Sequence, residues 1–127
     1  MIQERRGKSY GRTISEWIAL VPNELARDAV NLCQILSAGQ FEFELTGPEL
    51  VQYVRQNLVA LVEAGAIPVV GGKGTGYEWI ANYNYGLTKH EIVAAIVAEW
   101  LASNGDEMYP WTVWFALARD NPGYIKM

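Results

Sequence analysis

The sequence predicts a single α+β domain in which a small, mostly antiparallel sheet of about three strands packs against about four helices. Three observations carry this prediction. Half of the 127 residues are hydrophobic, which is enough to build one buried core. Threonine–glutamate capping patterns open three apolar stretches with helical spacing. A glycine-rich segment joins two apolar stretches in the way that the turn of a β-hairpin does.

The first two helices are expected on either side of Pro22. Thr13 and Glu16 form a capping pattern, and apolar residues follow at helical spacing, so a short helix is predicted at about 14–20. Because Pro22 lacks a backbone N–H, it interrupts this helix and stands in the first turn of the next one. The second helix is expected to end before Gly39, since glycine is the usual residue after a helix terminus.

The third and fourth helices begin with the same capping pattern. Thr46 and Glu49 precede a stretch that is apolar around much of its circumference and that ends at Gly65. This third helix is therefore expected to be central in the fold. Thr88 and Glu91 precede another apolar stretch, which predicts the fourth helix.

Three parts of the chain are expected to be extended. Residues 41–45 alternate between apolar and acidic, which predicts a short strand or an extended linker with both phenylalanines and the leucine facing inward. Residues 66–70 and 77–85 flank a glycine loop at 71–76 and predict a hairpin. Residues 111–117 alternate again and predict the last strand, with a helical turn over residues 114–118 as the alternative.

Charge is distributed unevenly along the chain. Residues 1–12 carry a balance of +3 and contain two glycines, which predicts a flexible basic leader. Residues 13–127 carry a balance of −7 and are expected to form the single globular domain. Phosphate backbones repel such an acidic body, so generic nucleic-acid binding is disfavoured and a basic protein partner is favoured.

The residue inventory argues against catalysis and against a cofactor or metal. The chain has one cysteine and one histidine, so neither a disulfide framework nor a Cys/His metal site is expected. His90 lacks a nucleophile motif to serve as its partner, Cys33 lies on an apolar stripe, and Glu99 is expected to be half-buried beside one. No long apolar run or signal stretch is present, so we expect a soluble, cytoplasmic protein.

The glycine loop is expected to be structural. It is not followed by Gly-Lys-Ser/Thr and leads into a strand instead of a helix, so it does not match a phosphate-binding loop. Glycines at a hairpin tip supply positive φ. Lys73, at this tip, is available to a partner.

The candidate binding residues are carboxylates and tryptophans. Five tryptophans and seven tyrosines are many for a domain of this size, and they predict a partly exposed aromatic surface. The carboxylates expected to pair with a basic partner are Glu42, Glu44, Glu78, Asp106 and Glu107. The expected anchors at the centre of the interface are Trp79, Trp111 and Trp114.

These features are typical of a non-enzymatic protein-interaction module. In kind, the chain resembles small acidic proteins that neutralise a toxic basic enzyme, of which bacterial immunity proteins are one example. The resemblance implies a mechanism of occlusion, in which carboxylates pair with the basic residues that the partner uses on its own substrate. No cofactor takes part in such a mechanism.

Two alternatives remain open from the sequence. The segment from residue 48 to residue 88 reads helix, strand, glycine-rich loop, strand, and it resembles a winged helix that reads DNA. The helix side chains available to contact base edges are Gln52, Arg55, Gln56 and Asn57. The second alternative is a sugar-binding or small-molecule-binding module that uses the aromatic face of the strand at 77–85.

Overall fold

The computed structural model describes residues 5–72, 79–106 and 108–117. Its α-helices are α1 (Ile14–Leu20), α2 (Leu32–Ser37), α3 (Gly47–Glu63) and α4 (Lys89–Ala102). Its strands are β1 (Val30–Asn31), β2 (Ala66–Gly71), β3 (Trp79–Ala81) and β4 (Trp114–Leu117). Short 3-10 helices cover Val21–Ala26, Tyr83–Tyr85 and Tyr109–Thr112, and a π-helical turn covers Ala38–Glu42. The predicted α+β class is confirmed.

The described sheet has four strands in the order β1-β4-β2-β3, and every neighbouring pair is antiparallel. The sequence predicted about three strands. Strand β1 was expected to be helical, and the extended segment expected at residues 41–45 is not one of the four strands. Strand β4 is paired on both sides: Phe115 lies opposite Val30 of β1 and opposite Pro68 of β2. The predicted hairpin is present as the β2–β3 pair, while its tip, with Lys73, lies outside the described residues.

Helix α3 is central, as predicted. Tyr53, Val54, Leu58 and Leu61 are fully buried and repeat at the spacing that places them on one side of the helix. They join the main core together with residues of the other helices and of the sheet, Phe115 among them. Each buried aliphatic side chain of this size contributes about 1.5–3 kcal/mol to the free energy of unfolding.

Two of the three predicted capping patterns are complete. Thr13 with Glu16 and Thr88 with Glu91 form reciprocal capping boxes at α1 and α4. Thr46 stands at the start of α3 without a side-chain capping bond. Here the expected Glu49 partner contacts Arg5 instead, with 3.3 Å between the guanidinium Nη2 and the carboxylate Oε2.

The prediction of one continuous second helix is wrong. The chain instead forms the 3-10 helix Val21–Ala26, strand β1 and then helix α2. Asn31 explains the break: its side chain accepts a hydrogen bond from the N–H of Cys33, while its amide donates to the carbonyls of Trp111 and Val113. Pairing with β4 thus satisfies backbone groups that a continuous helix would have bonded internally, and it overrides the helical apolar spacing.

The prediction of a short strand or extended linker at residues 41–45 is also wrong for the first two of these residues. These two residues complete the π-helical turn, which leaves Phe41 68% exposed while Phe43 is only 2% exposed. The buried Gly39 permits this turn, because a β-carbon there would lie 2.8 Å from the ring of Tyr53. Close helix packing therefore selects a turn at this point, and the alternating apolar pattern does not decide the conformation.

The last predicted strand begins later than expected. Residues 109–112 form a 3-10 helix with Pro110 in its first turn, so Trp111 precedes the strand and does not share a sheet face with Phe115. Similarly, the strand after the glycine loop ends at Ala81 and gives way to the 3-10 helix at Tyr83–Tyr85.

Residues 5–12, which we expected to form part of a flexible leader, lie against the rest of the domain. The N–H of Lys8 donates to the carbonyl of Glu42, and the N–H of Ile14 donates to the carbonyl of Arg5. The domain boundary at residue 12 stays a prediction, and residues 1–4 lie outside the described part of the chain.

Across the described ranges, no helix has both the length and the apolar character that a bilayer span requires.

Replacing Phe41, in the π-helical turn, and Phe43, directly after it, tests this part of the fold. Phe43 contacts the rings of Trp17 and Tyr53 at centroid distances of 5.6 Å and 6.0 Å. We expect Phe43→Ala to lower the free energy of unfolding by about 3–5 kcal/mol, and Phe41→Ala to change it by less than about 0.5 kcal/mol. Urea unfolding followed by circular dichroism measures both. Equal losses would mean that the two rings are buried alike, as the alternating pattern had predicted.

Candidate functional site

A cavity of about 490 Å³ opens between helix α2, the π-helical turn, the end of α4 and the 3-10 helix at Tyr109–Thr112. We call it the aromatic cleft. Its lining includes three aromatic side chains, which are Phe41, Trp100 and Trp111. Two other cavities in the described structure are smaller, at about 300 and 390 Å³.

The aromatic cleft groups several exposed apolar side chains at its rim. Trp111 is 55% exposed and Leu101 is 51% exposed, beside the strongly exposed Phe41. Local structure causes both aromatic exposures, because the π-helical turn directs Phe41 outward and the 3-10 helix does the same for Trp111. Clustered exposed apolar side chains are typical of interaction surfaces.

The charged group of the aromatic cleft is a carboxylate. Asp106 lines the cleft, and its Oδ1 accepts a hydrogen bond of 3.0 Å from the N–H of Met108. Its Oδ2 has no hydrogen-bond partner or cation within the described residues, and the cleft lining contains no lysine or arginine. The cleft therefore combines aromatic surface with one negative charge.

Two of the sequence-predicted site residues, Asp106 and Trp111, meet in the aromatic cleft. Trp79 and Trp114 lie elsewhere, on the sheet face opposite the main core, with ring centroids 5.2 Å apart and planes tilted by 34°. They pack on a small cluster that contains Val69, and its described members come from strands and from residue 29, with none from a helix. The three tryptophans therefore do not form one anchor.

The remaining predicted carboxylates are dispersed. Glu44 is exposed and lies 3.6 Å from the ammonium of Lys8. Glu78 and Glu107 lie outside the described residues. Glu42, which the predicted strand would have exposed, is buried, so we no longer assign it to partner binding.

Glu42 instead holds the N-terminal segment. Its Oε2 accepts hydrogen bonds of 2.9 Å and 3.0 Å from the N–H groups of Ser9 and Tyr10. Gly7 allows the close approach, because a β-carbon there would overlap the carboxylate. Burial alone raises the pKa of Glu42, but the two N–H groups and the charge of Lys8 outweigh it and lower the pKa overall.

A tyrosine–carboxylate cluster supports one side of the aromatic cleft. The hydroxyl of Tyr85 donates to Oε1 of Glu99 over 2.8 Å, and Glu99 is exposed, not half-buried as expected. Burial, together with the nearby carboxylate, raises the pKa values of Tyr85 and Tyr109. Because Glu99 directly precedes Trp100, the bond from Tyr85 holds the part of α4 that carries this cleft residue. The buried hydroxyl of Tyr109 has no hydrogen-bond partner among the described residues.

Other groups that the sequence singled out have ordinary environments. Cys33 is half-buried on α2, and its Sγ lies 3.8 Å from Oγ of Ser37, both in the lining of the aromatic cleft. His90 is exposed in the first turn of α4. In the described ranges, no group of three or more His, Cys, Asp or Glu side chains is arranged to hold a metal ion.

One of the four side chains that the winged-helix alternative assigned to base contacts is buried. The order α3, β2, β3 matches the expected order of helix, strand and strand. Arg55 and Gln52 are exposed and Gln56 is half-buried, but Asn57 is fully buried and donates to the carbonyl of Tyr53 over 2.8 Å. Asn57 is thus part of the core and cannot reach a nucleic acid.

Glu42 makes the stability depend on pH in a defined direction. Because its folded pKa is lowered from 4.5, its ionised form stabilises the fold above about pH 4.5, and that stabilisation is lost as pH falls through the folded pKa. We expect Glu42→Gln to lower the urea midpoint at pH 7, with the difference from the unmodified chain shrinking below pH 4.5.

Glu44→Gln is the matched control, since its exposed ion pair is weak. We expect this variant to follow the unmodified chain at every pH. A difference between Glu42→Gln and the unmodified chain that stayed constant down to pH 3 would contradict the role of the ionised carboxylate.

Comparisons of the chain with protein-family models, with curated proteins and with solved structures find no match.

Proposed function

We propose that the protein is a non-enzymatic interaction module that binds a basic protein through the aromatic cleft and occludes that partner's functional surface. One observation carries the proposal. Two aromatic side chains more than half exposed, Phe41 and Trp111, flank a cavity whose charged side chain is a carboxylate. Aromatic side chains beside a cavity are the usual anchors of protein interfaces.

The geometry favours a particular kind of occupant. Phe41, Leu101 and Trp111 offer apolar contact, and Asp106 has one oxygen without a cation or hydrogen-bond partner among the described residues. An aromatic or long aliphatic side chain followed closely by lysine or arginine would satisfy both features. The charge of the bound cation would be shared between Asp106 and the acidic body of the protein.

The acidic body supports an inhibitory role. From residue 13 onward the chain carries a balance of −7, and this field accelerates the encounter with a basic protein. A partner that uses basic residues on its own substrate, such as a toxin acting on nucleic acid, would lose access to that substrate once bound. We place this activity in the cytoplasm as part of the proposal, and the free Cys33 is compatible with a reducing compartment.

The test replaces Trp111 and uses Leu87 as the matched control. Leu87 is 78% exposed and does not line the aromatic cleft. The chain and its variants serve as bait in nuclease-treated lysate of the native source, and the captured protein is identified, purified and titrated by calorimetry. We expect a stoichiometric basic partner. Trp111→Ala is expected to raise the dissociation constant of the complex by about thirtyfold or more, and Leu87→Ala is expected to leave it unchanged.

Asp106→Asn removes the carboxylate charge of the aromatic cleft and leaves its aromatic side chains in place. We expect it to weaken binding less than Trp111→Ala and to reduce the dependence of binding on salt. If Trp111→Ala and the unmodified chain bound the partner with equal affinity, the aromatic cleft would not be part of the interface. Recovery of nucleic acid without a protein partner, when nuclease is omitted, would overturn the proposal and favour the winged-helix alternative.

A further inference from the structure

A second cavity, of about 390 Å³, lies between α3 and α4 and shares no lining residue with the aromatic cleft. We call it the basic groove. Its apolar lining consists of Val59, Val62, Val93 and Ala94. Its polar lining consists of Arg55, Glu63, Lys89 and His90.

Positive charge is concentrated in the basic groove, although the body of the protein is acidic. Beyond residue 12, the described residues include three lysines or arginines, which are Arg27, Arg55 and Lys89. Two of these three line the basic groove, together with the single histidine of the chain. The groove therefore carries a local charge opposite to that of the body around it.

Arg55 is free to bind an anion. Its side chain is exposed, and no carboxylate among the described residues lies within ion-pair distance of it. Lys89 does have a partner, since its Nζ lies 3.6 Å from Oε2 of Glu63. Both of these side chains are about 60% exposed, and an exposed pair of this kind is weak enough for a competing anion to displace.

The start of α4 adds little to this charge. Glu91 already accepts hydrogen bonds from the N–H groups of Leu87 and Thr88, so a carboxylate compensates the positive end of the helix. The binding capacity of the basic groove rests on the two cationic side chains and on the valine-lined wall.

We propose that the basic groove binds a small organic anion with an apolar body and one carboxylate or phosphate group. The apolar body lies against the exposed Val59 and Ala94, over a floor formed by the buried Val62 and Val93. The anionic group is held by Arg55 with help from Lys89. The guanidinium group of arginine presents paired N–H donors that match the oxygens of either anion. The volume of the groove falls within the range of small-molecule sites. This site is independent of the proposed function.

Titration with octanoate, followed by amide NMR spectra of the full chain, tests the proposal. We expect saturable shifts at Val93 and Ala94, with acetate and octanol binding more weakly because each lacks one half of the recognised chemistry. Arg55→Gln is expected to weaken octanoate binding about tenfold. Arg27→Gln makes the same charge change outside the groove and is expected to leave binding unchanged. Octyl phosphate, titrated in parallel, shows which anionic group binds more tightly.

Glu63→Gln gives an outcome that loss of structure could not produce. Removing this carboxylate frees Lys89 and removes a negative charge from the groove, so we expect octanoate to bind more tightly. Three results would overturn the proposal. The first is that neither octanoate nor octyl phosphate gives saturable amide shifts, and the second is that octanol binds as tightly as octanoate. The third is that Arg55→Gln and Arg27→Gln weaken octanoate binding equally.

Discussion

The double pairing of strand β4 is the constraint on which the rest of the structure depends. On one side β4 aligns with β2, and on the other it accepts the two-residue strand β1. The side-chain amide of Asn31 reinforces the second pairing through the carbonyls of Trp111 and Val113. One short strand thereby interrupts what the sequence presents as a helix, and it sets where α2 begins and where the 3-10 helix before β4 lies. Both elements form walls of the aromatic cleft.

A second constraint acts from the core side of the same cleft. The buried Gly39 lies against the ring of Tyr53, and the chain passes this contact in a π-helical turn. The wider turn adds a residue to the helix and changes which side chains face the core. Phe43 enters the core, Phe41 remains in solvent, and the intervening Glu42 bonds the N-terminal segment. π-Helical turns occur frequently at functional sites, and here one delivers an exposed aromatic ring to the proposed interface.

Local signals predicted the parts of the fold that local chemistry decides. The capping boxes at Thr13 and Thr88, the central third helix and the glycine-linked hairpin all follow from short-range patterns. Strand β1 and the π-helical turn did not, because each depends on contacts with residues distant in sequence. Phe41 was missed as a site residue for this reason, since its alternating context predicted an inward ring. Asp106 and Trp111 were named as candidates because residue type alone suggested them, and both line the aromatic cleft.

The separation of β1 from its partner has a consequence for synthesis of the chain. Val30 lies opposite Phe115, 85 residues later in the sequence. On a ribosome, where the chain emerges from its N-terminus, Asn31 and the edge of β1 have no pairing strand until β4 has left the exit tunnel. Long-range pairings of this kind slow folding, so the sheet closes at or after the end of translation of β4. Before that step, helix α3 and the β2–β3 hairpin have local partners, and the residues of β1 do not.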